Sequence, residues 1–90
     1  MTDDRIQDDI NRGAQTEALM RSEILMGAFT TLEAAYYDLW KASDARDSDA
    51  RERLWVATTV ITKVREHLFA IIGNGKVAKA ELEEMIARKR

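Results

Sequence analysis

The 90-residue chain has no cysteine, no proline, one histidine and only four glycines. The absence of cysteine excludes a disulfide scaffold, a thiol nucleophile and any zinc or iron–sulfur site built on thiolates. One histidine is too few for metal sites that use several imidazoles. A chain without proline that is rich in Ala, Leu, Glu, Lys and Arg favours helix throughout, so we expect an all-α protein.

Long hydrophobic runs and a basic leader are also missing. The longest apolar runs, such as residues 68–72, are far shorter than the roughly 20 residues that span a bilayer. The first residues are acidic, whereas a secretory signal begins with basic residues. We therefore expect a soluble, cytoplasmic protein with no membrane partner.

The balance of charge and hydropathy describes a small folded domain. The chain is 46% apolar and carries a net charge of only −2, which excludes a disordered, highly charged class. Residues 1–45 contain nine acidic and four basic side chains, and residues 46–90 contain seven acidic and ten basic ones. The two halves could attract each other, or the second half could meet an anionic partner.

Hydrophobic periodicity predicts three helices, at about 13–41, 49–72 and 77–88, in a single domain that covers residues 12–90. Residues 1–11 are polar and are expected to be flexible. The Ser- and Asp-rich segment 42–49 predicts a turn, with Asp49 as the cap of the following helix and Asp47 or Ser48 as the alternative caps. The sequence Gly73-Asn74-Gly75 predicts the end of that helix. The predicted architecture is a long antiparallel helical hairpin plus a short C-terminal helix.

Apolar residues at alternating spacings of three and four predict a seam along both long helices. A second stripe at Met20, Ile24, Ala28, Ala35 and Trp40, with Val56 and Val60 beside the second seam, makes the apolar surface too broad for one hairpin to cover. We therefore expect a homodimer or a larger ring with a bundle-like core. The seam residues are Leu25, Phe29, Leu32, Tyr36, Leu39, Leu54, Ile61, Val64, Leu68 and Ile71.

No residue pattern predicts catalysis, a cofactor site or a metal site. His67 has no identifiable nucleophile or orienting carboxylate, so a structural or surface role is favoured. Residues 73–76 resemble a phosphate-binding loop only in glycine content, because no strand precedes them. We expect a protein that is not an enzyme.

The two ends of the hairpin offer candidate binding surfaces. Aromatic residues meet at the turn, where they form either a local core or a partner-binding site; the candidates are Tyr37, Trp40, Arg51 and Trp55. Local positive charge near the C-terminus offers weak, sequence-independent contact with nucleic acid, and the candidates are Lys76, Lys79, Arg88, Lys89 and Arg90.

Several short segments resemble a group of short helical proteins, most of them uncharacterised, from tailed phages and prophages. They are residues 12–15, 32–36, 46–47, 51–55, 64–68 and 75–78, together with Trp40. The resemblance implies a phage protein of the head-assembly or DNA-packaging region. Small terminase subunits are similar in being helical hairpins assembled into rings, although we expect no separate N-terminal DNA-binding domain here.

Three functions follow as hypotheses. The first is a phage or prophage protein that acts by self-assembly in particle assembly or DNA packaging. Its partners would be itself and phage head or packaging proteins, in the host cytoplasm or on the virion. The alternatives are a small regulatory or inhibitory adaptor that binds a host or phage protein, and a weak nucleic-acid binder.

Overall fold

The computed structural model describes residues 3–89 as three α-helices, and no strand occurs in that range. Helix α1 spans Asp3–Met20, α2 spans Glu23–Ala42 and α3 spans Ser48–Arg88. The predicted all-α class is confirmed. No helix within residues 3–89 is both long and apolar enough to cross a membrane.

The chain divides into two compact units, which we describe separately. The hairpin unit is Ser22–Glu66 and contains α2 and the first part of α3. The terminal unit combines the residues up to Arg21 with those from His67 onward, so it pairs α1 with the last part of α3. The single domain that the sequence predicts over residues 12–90 stays a prediction, and the periodicity of the sequence did not indicate these two compact units.

Helix α1 contradicts the expectation of a flexible N-terminal segment. From Asp3 onward the segment is helical, and Ile6 is only 2% exposed. Ile6, Gly13 and Thr16 are all buried, and their spacings of seven and three place them on one face of α1. Because two of these three residues are small, the sequence reveals the face poorly. Residues 1 and 2 of the predicted segment lie outside the described residues.

A break at Ser22 corrects the prediction of one helix over residues 13–41. Ser22 has extended backbone angles (φ −68°, ψ 118°) and is the N-cap of α2. Its Oγ accepts a hydrogen bond from the amide of Leu25 at 3.2 Å. Such a bond satisfies one of the amides that the first turn of a helix leaves without a carbonyl partner. Ser22, which lies inside the single helix predicted over residues 13–41, therefore begins a new helix.

Helix α3 passes through Gly73-Asn74-Gly75 without a break, so the predicted helix end there is wrong. Neither glycine has a positive φ, which the predicted C-cap would require. Gly75 is buried where α3 crosses α1, and a Cβ built on it would lie 2.9 Å from both the Gly13 Cα and the Asp9 carbonyl oxygen. Glycine is needed here for close approach of two backbones. Residues 77–88 are helical as predicted, but they continue α3.

The predicted turn between the long helices is present at residues 43–47. The carboxylate of Asp47 accepts a hydrogen bond from the amide of Ala50 at 3.1 Å, so the alternative candidate Asp47 is the cap. The preferred candidate, Asp49, lies inside the first turn of α3. Within the hairpin unit, the Trp40 ring contacts Arg51 and the Phe29 ring contacts Arg65. A later residue of α2 thus contacts an earlier residue of α3, so the two helices are antiparallel as predicted.

Candidate interaction surfaces

Arg51, a predicted partner-binding residue, is committed to contacts at the turn of its own hairpin. Its guanidinium lies 4.2 Å from the centroid of the Trp40 ring and donates to the Trp40 carbonyl oxygen at 3.3 Å. The same Nη1 donates to the Ser43 hydroxyl at 3.1 Å. The Trp40 carbonyl belongs to the last turn of α2, where carbonyl groups have no partner inside the helix, and Ser43 is the C-cap of α2. Arg51 therefore caps α2 and ties it to α3.

The other predicted tip residues form an open apolar groove. Tyr37, Trp40, Trp55 and Thr58 line a space of about 150 Å³. The Tyr37 and Trp40 rings are stacked, with their centroids 6.4 Å apart. Trp55 is 64% exposed and Tyr37 is 57% exposed, so the cluster is not a closed local core. Rigid aromatic rings that stay accessible are typical anchors of protein interfaces.

The predicted seam separates into two sets of residues. Leu25, Phe29 and Tyr36 on α2, and Leu54 and Ile61 on α3, are half-buried. Leu32, Leu39 and Val64 are 45%, 55% and 45% exposed, so their predicted burial does not occur within one chain. The remaining two, Leu68 and Ile71, are half-buried in the terminal unit. Three–four spacing identifies an apolar surface but does not distinguish the part covered by the chain itself.

The exposed members combine with neighbouring small and branched residues into a larger surface, which we call the aliphatic face. It comprises Ile24, Ala28, Leu32, Ala35 and Leu39 of α2 with Val56, Val60 and Val64 of α3, all of them exposed. At 100° per residue, the five α2 positions fall within an arc of about 80°, and so do the three valines of α3. No residue of the hairpin unit is as fully buried as Ile6 is in the terminal unit.

The two stripes of the aliphatic face lie on the same side of the hairpin. Around each helix axis, the stripe lies about 100–130° from the half-buried residues that face the other helix. This rotation has the same sense in both helices when each is followed from its N-terminus. In an antiparallel pair, equal senses of rotation project to one side. Tyr37 and Trp55 are rotated in the opposite sense, and they do meet in the groove on the other side. The hairpin unit therefore has an aliphatic side and an aromatic side.

One ion pair lies between the hairpin helices. Arg65 Nη2 is 2.6 Å from Glu33 Oε1, and the guanidinium is 5.3 Å from the centroid of the Phe29 ring. Both side chains are about one-third exposed. Because Arg65 of α3 reaches Glu33 only when the two residues lie side by side, the ion pair favours one register of the two helices.

The basic residues proposed for nucleic-acid contact do not form a uniform positive patch. Lys76 and Lys79 line a groove that also contains Glu17. Arg88 Nη2 lies 2.5 Å from Glu84 Oε1, and Lys89 is exposed beyond the end of α3. Arg90 lies outside the described residues. Adjacent carboxylates lower the attraction of these cations for phosphate, so nothing in their placement favours the nucleic-acid hypothesis.

His67 lies beside a carboxylate that the sequence did not identify. It shares an open groove of about 220 Å³ with Asp9, Arg12, Ile71 and Asn74 in the terminal unit. Among these lining residues there is no hydroxyl, thiol or amine nucleophile for the imidazole to activate. Across the described residues, no group of three or more His, Asp or Glu side chains could hold a metal ion.

Comparison with known proteins adds no family. No protein-family model, no curated protein and no solved structure matches the chain.

Proposed function

We propose that this protein is a non-enzymatic assembly protein that acts by associating with copies of itself through the aliphatic face. The observation that carries the proposal is the exposure of that face: all eight of its residues are exposed, and they lie on one side of the hairpin unit.

The chemistry of the aliphatic face supports the same function. Its eight residues carry no polar side-chain atom, and Ile24, the most exposed of the six large side chains, is 88% accessible. Contiguous exposed apolar surface of this kind is typical of protein–protein contacts. The resemblance to short helical proteins of tailed phages supports a role in particle assembly or DNA packaging, with phage head or packaging proteins as further partners.

A pair of substitutions on opposite sides of α3 tests self-assembly. Val60→Asp places a charge in the aliphatic face, whereas Thr62→Asp places the same charge two residues away on the aromatic side. We expect the wild-type chain and Thr62→Asp to have the same oligomeric mass in light scattering. Val60→Asp should weaken association at least ~100-fold, because an unpaired charge would be buried in the interface. A monomeric wild type at ~50 μM (about −6 kcal/mol on the affinity scale), or an unaffected Val60→Asp, contradicts the proposal.

The aromatic groove supports a second function, that of an adaptor. Both tryptophans of the chain, Trp40 and Trp55, line the groove, so intrinsic fluorescence reports directly on its occupancy. An adaptor partner should shift Trp emission to the blue and lose binding on Trp55→Ala, while the mass of the homo-oligomer is unchanged. Concentration-dependent emission from the protein alone would instead place the second copy in the groove and contradict assembly through the aliphatic face.

A further inference from the structure

We infer that the aromatic groove of the hairpin unit binds a short peptide segment of a partner protein, in which one bulky apolar side chain is flanked by aspartate or glutamate. The inference rests on the proposed adaptor function and specifies the chemistry of the partner. It does not depend on self-assembly, because the groove and the aliphatic face lie on opposite sides of the hairpin unit.

The size of the groove limits what it can hold. Its volume is about 150 Å³, whereas a pocket for a small organic ligand typically measures about 300–1,000 Å³. The groove therefore accommodates one large side chain rather than a whole ligand molecule. Three of its four lining residues are the aromatic Tyr37, Trp40 and Trp55, whose rings offer a large apolar contact area. An apolar side chain of a partner protein fits this space.

The fourth lining residue, Thr58, adds little polarity to the groove. Its hydroxyl donates to the Leu54 carbonyl oxygen at 3.0 Å, inside α3. The hydroxyl hydrogen already has an acceptor, so an apolar side chain that covers Thr58 leaves no buried donor without a partner. The bond within α3 therefore lowers the cost of an apolar occupant.

The polar atoms of the three rings indicate what should flank the apolar side chain. Within residues 3–89, neither the indole N–H groups of Trp40 and Trp55 nor the Tyr37 hydroxyl donates to a protein acceptor. An indole N–H can only donate. Hydrogen bonds to a carboxylate are roughly twice as strong as those between neutral groups. Carboxylates beside the apolar side chain would therefore complement the groove.

Two cations lie against the rings of the groove. Lys41 Nζ is 5.8 Å from the centroid of the Tyr37 ring, and the Arg51 guanidinium is 4.2 Å from the centroid of the Trp40 ring. Within residues 3–89, neither cation has a carboxylate at 4.0 Å or less. Aromatic rings alone would also attract a cationic ligand, but these two charges repel one and attract an anionic segment.

The carboxylates closest in sequence are engaged or lie elsewhere. Asp44 and Asp47 accept hydrogen bonds from backbone amides of the turn at 2.8 Å and 3.1 Å. Asp49 and Glu52 line a separate groove. Asp38 is exposed about 100° around the α2 axis from the neighbouring Tyr37, towards the edge that points away from α3. The charges in contact with the aromatic groove are thus positive.

Three blocked heptapeptides test the chemistry of the partner. Each has a central leucine, and the three residues on either side are all glutamate, all glutamine or all lysine. Tryptophan emission reports binding, because both tryptophans line the groove. At about 0.1 M salt we expect the glutamate peptide to bind about tenfold more tightly than the glutamine peptide, and the lysine peptide to bind most weakly. The differences should fade at 1 M salt.

The outcomes separate the inference from the function on which it rests. A glutamine or lysine peptide that binds as tightly as the glutamate peptide would overturn the acidic partner but leave the adaptor function standing. If no peptide changes the emission up to ~5 mM, the inference fails together with the adaptor function. Neither result bears on self-assembly through the aliphatic face.

Charge-reversal variants locate the contact. Lys41→Glu should weaken binding of the glutamate peptide about fivefold and change that of the glutamine peptide less than about twofold, because only the charge beside the groove is altered. Lys63→Glu is the matched control at an exposed position of α3, eight residues or about 12 Å beyond Trp55. That distance exceeds the screening length of about 10 Å at 0.1 M salt, so Lys63→Glu should change neither affinity more than about twofold. Equal weakening by both variants would show a response to net charge alone and would overturn the site.

Discussion

Two isoleucines illustrate the difference between the terminal unit and the hairpin unit. Ile6 in the terminal unit is 2% exposed, whereas Ile24 in the hairpin unit is 88% exposed. The terminal unit achieves its burial with small residues, since Gly13, Thr16, Gly75 and Ala78 are all buried. The hairpin unit has most of the aromatic rings but buries none of its residues to that degree.

Close backbone approach, rather than side-chain size, determines which residues are fully buried within one chain. Where Gly13 meets Gly75, the helices approach so closely that no Cβ fits between them. In the hairpin unit, large apolar side chains of α2 and α3 stay exposed on two open sides. The terminal unit, by contrast, contains its own small core.

The largest effect that separates the two units should come from truncating the isoleucines. Ile6→Ala removes the most buried large side chain of the terminal unit and should lower the free energy of unfolding by about 2–5 kcal/mol. Ile24→Ala removes the same atoms from an exposed position and should leave monomer stability within about 0.5 kcal/mol. Urea unfolding monitored by circular dichroism measures both, in the Val60→Asp background that we expect to be monomeric. Equal losses would contradict the difference in burial.

The two glycines of the α3 segment 73–75 provide the next comparison. Gly75→Ala places a methyl group 2.9 Å from backbone atoms of α1, and we expect a loss of about 1–3 kcal/mol in unfolding free energy. Gly73→Ala meets nothing within 4 Å and should stabilise the helix by up to about 1 kcal/mol. Opposite signs of the two changes in thermal unfolding would support glycine-mediated packing. If Gly75→Ala were stabilising, residues 73–75 would lie at a helix end or on an open surface and not in close contact with α1.

These glycines also mark the limit of prediction from the sequence. The all-α class, the turn at residues 43–47 and the antiparallel hairpin follow from local composition and from periodicity. Gly73-Asn74-Gly75 has the local signature of a helix end, and only its contact with Gly13, about 60 residues away in sequence, makes it a helix interior. Sequence periodicity likewise located the apolar stripes but could not show that Leu32 and Val64 lie outside the intrachain contact. Such distinctions depend on tertiary contacts rather than on local propensity.

A smaller effect is expected where the hairpin unit is held by a polar contact. Arg51→Ala removes the guanidinium that stacks on Trp40 and bonds the last carbonyls of α2, which should cost about 1–2 kcal/mol. Arg51→Lys keeps the charge but loses the planar group that makes several contacts at once, so it should recover less than half of that loss. Arg46→Ala, at an exposed position of the same turn, is the matched control and should change stability by less than about 0.5 kcal/mol. An Arg51→Lys variant as stable as the wild type would show that the positive charge alone is sufficient to stabilise the turn.

The smallest effect concerns Ser22, the boundary residue between α1 and α2. Ser22→Ala removes the hydroxyl that accepts from the Leu25 amide and should lower stability by about 1 kcal/mol. Ser22→Asp keeps an acceptor at the N-terminus of α2, where the helix dipole also favours negative charge, and should equal or exceed the wild type. If instead α1 and α2 formed one helix, alanine would be the better residue at position 22 and Ser22→Ala would be stabilising. Ser43→Ala is the companion variant, because it removes a hydroxyl that donates to the Trp40 carbonyl oxygen at the other end of α2. The sign of the Ser22→Ala change in urea unfolding decides between a capped break at Ser22 and the continuous helix predicted over residues 13–41.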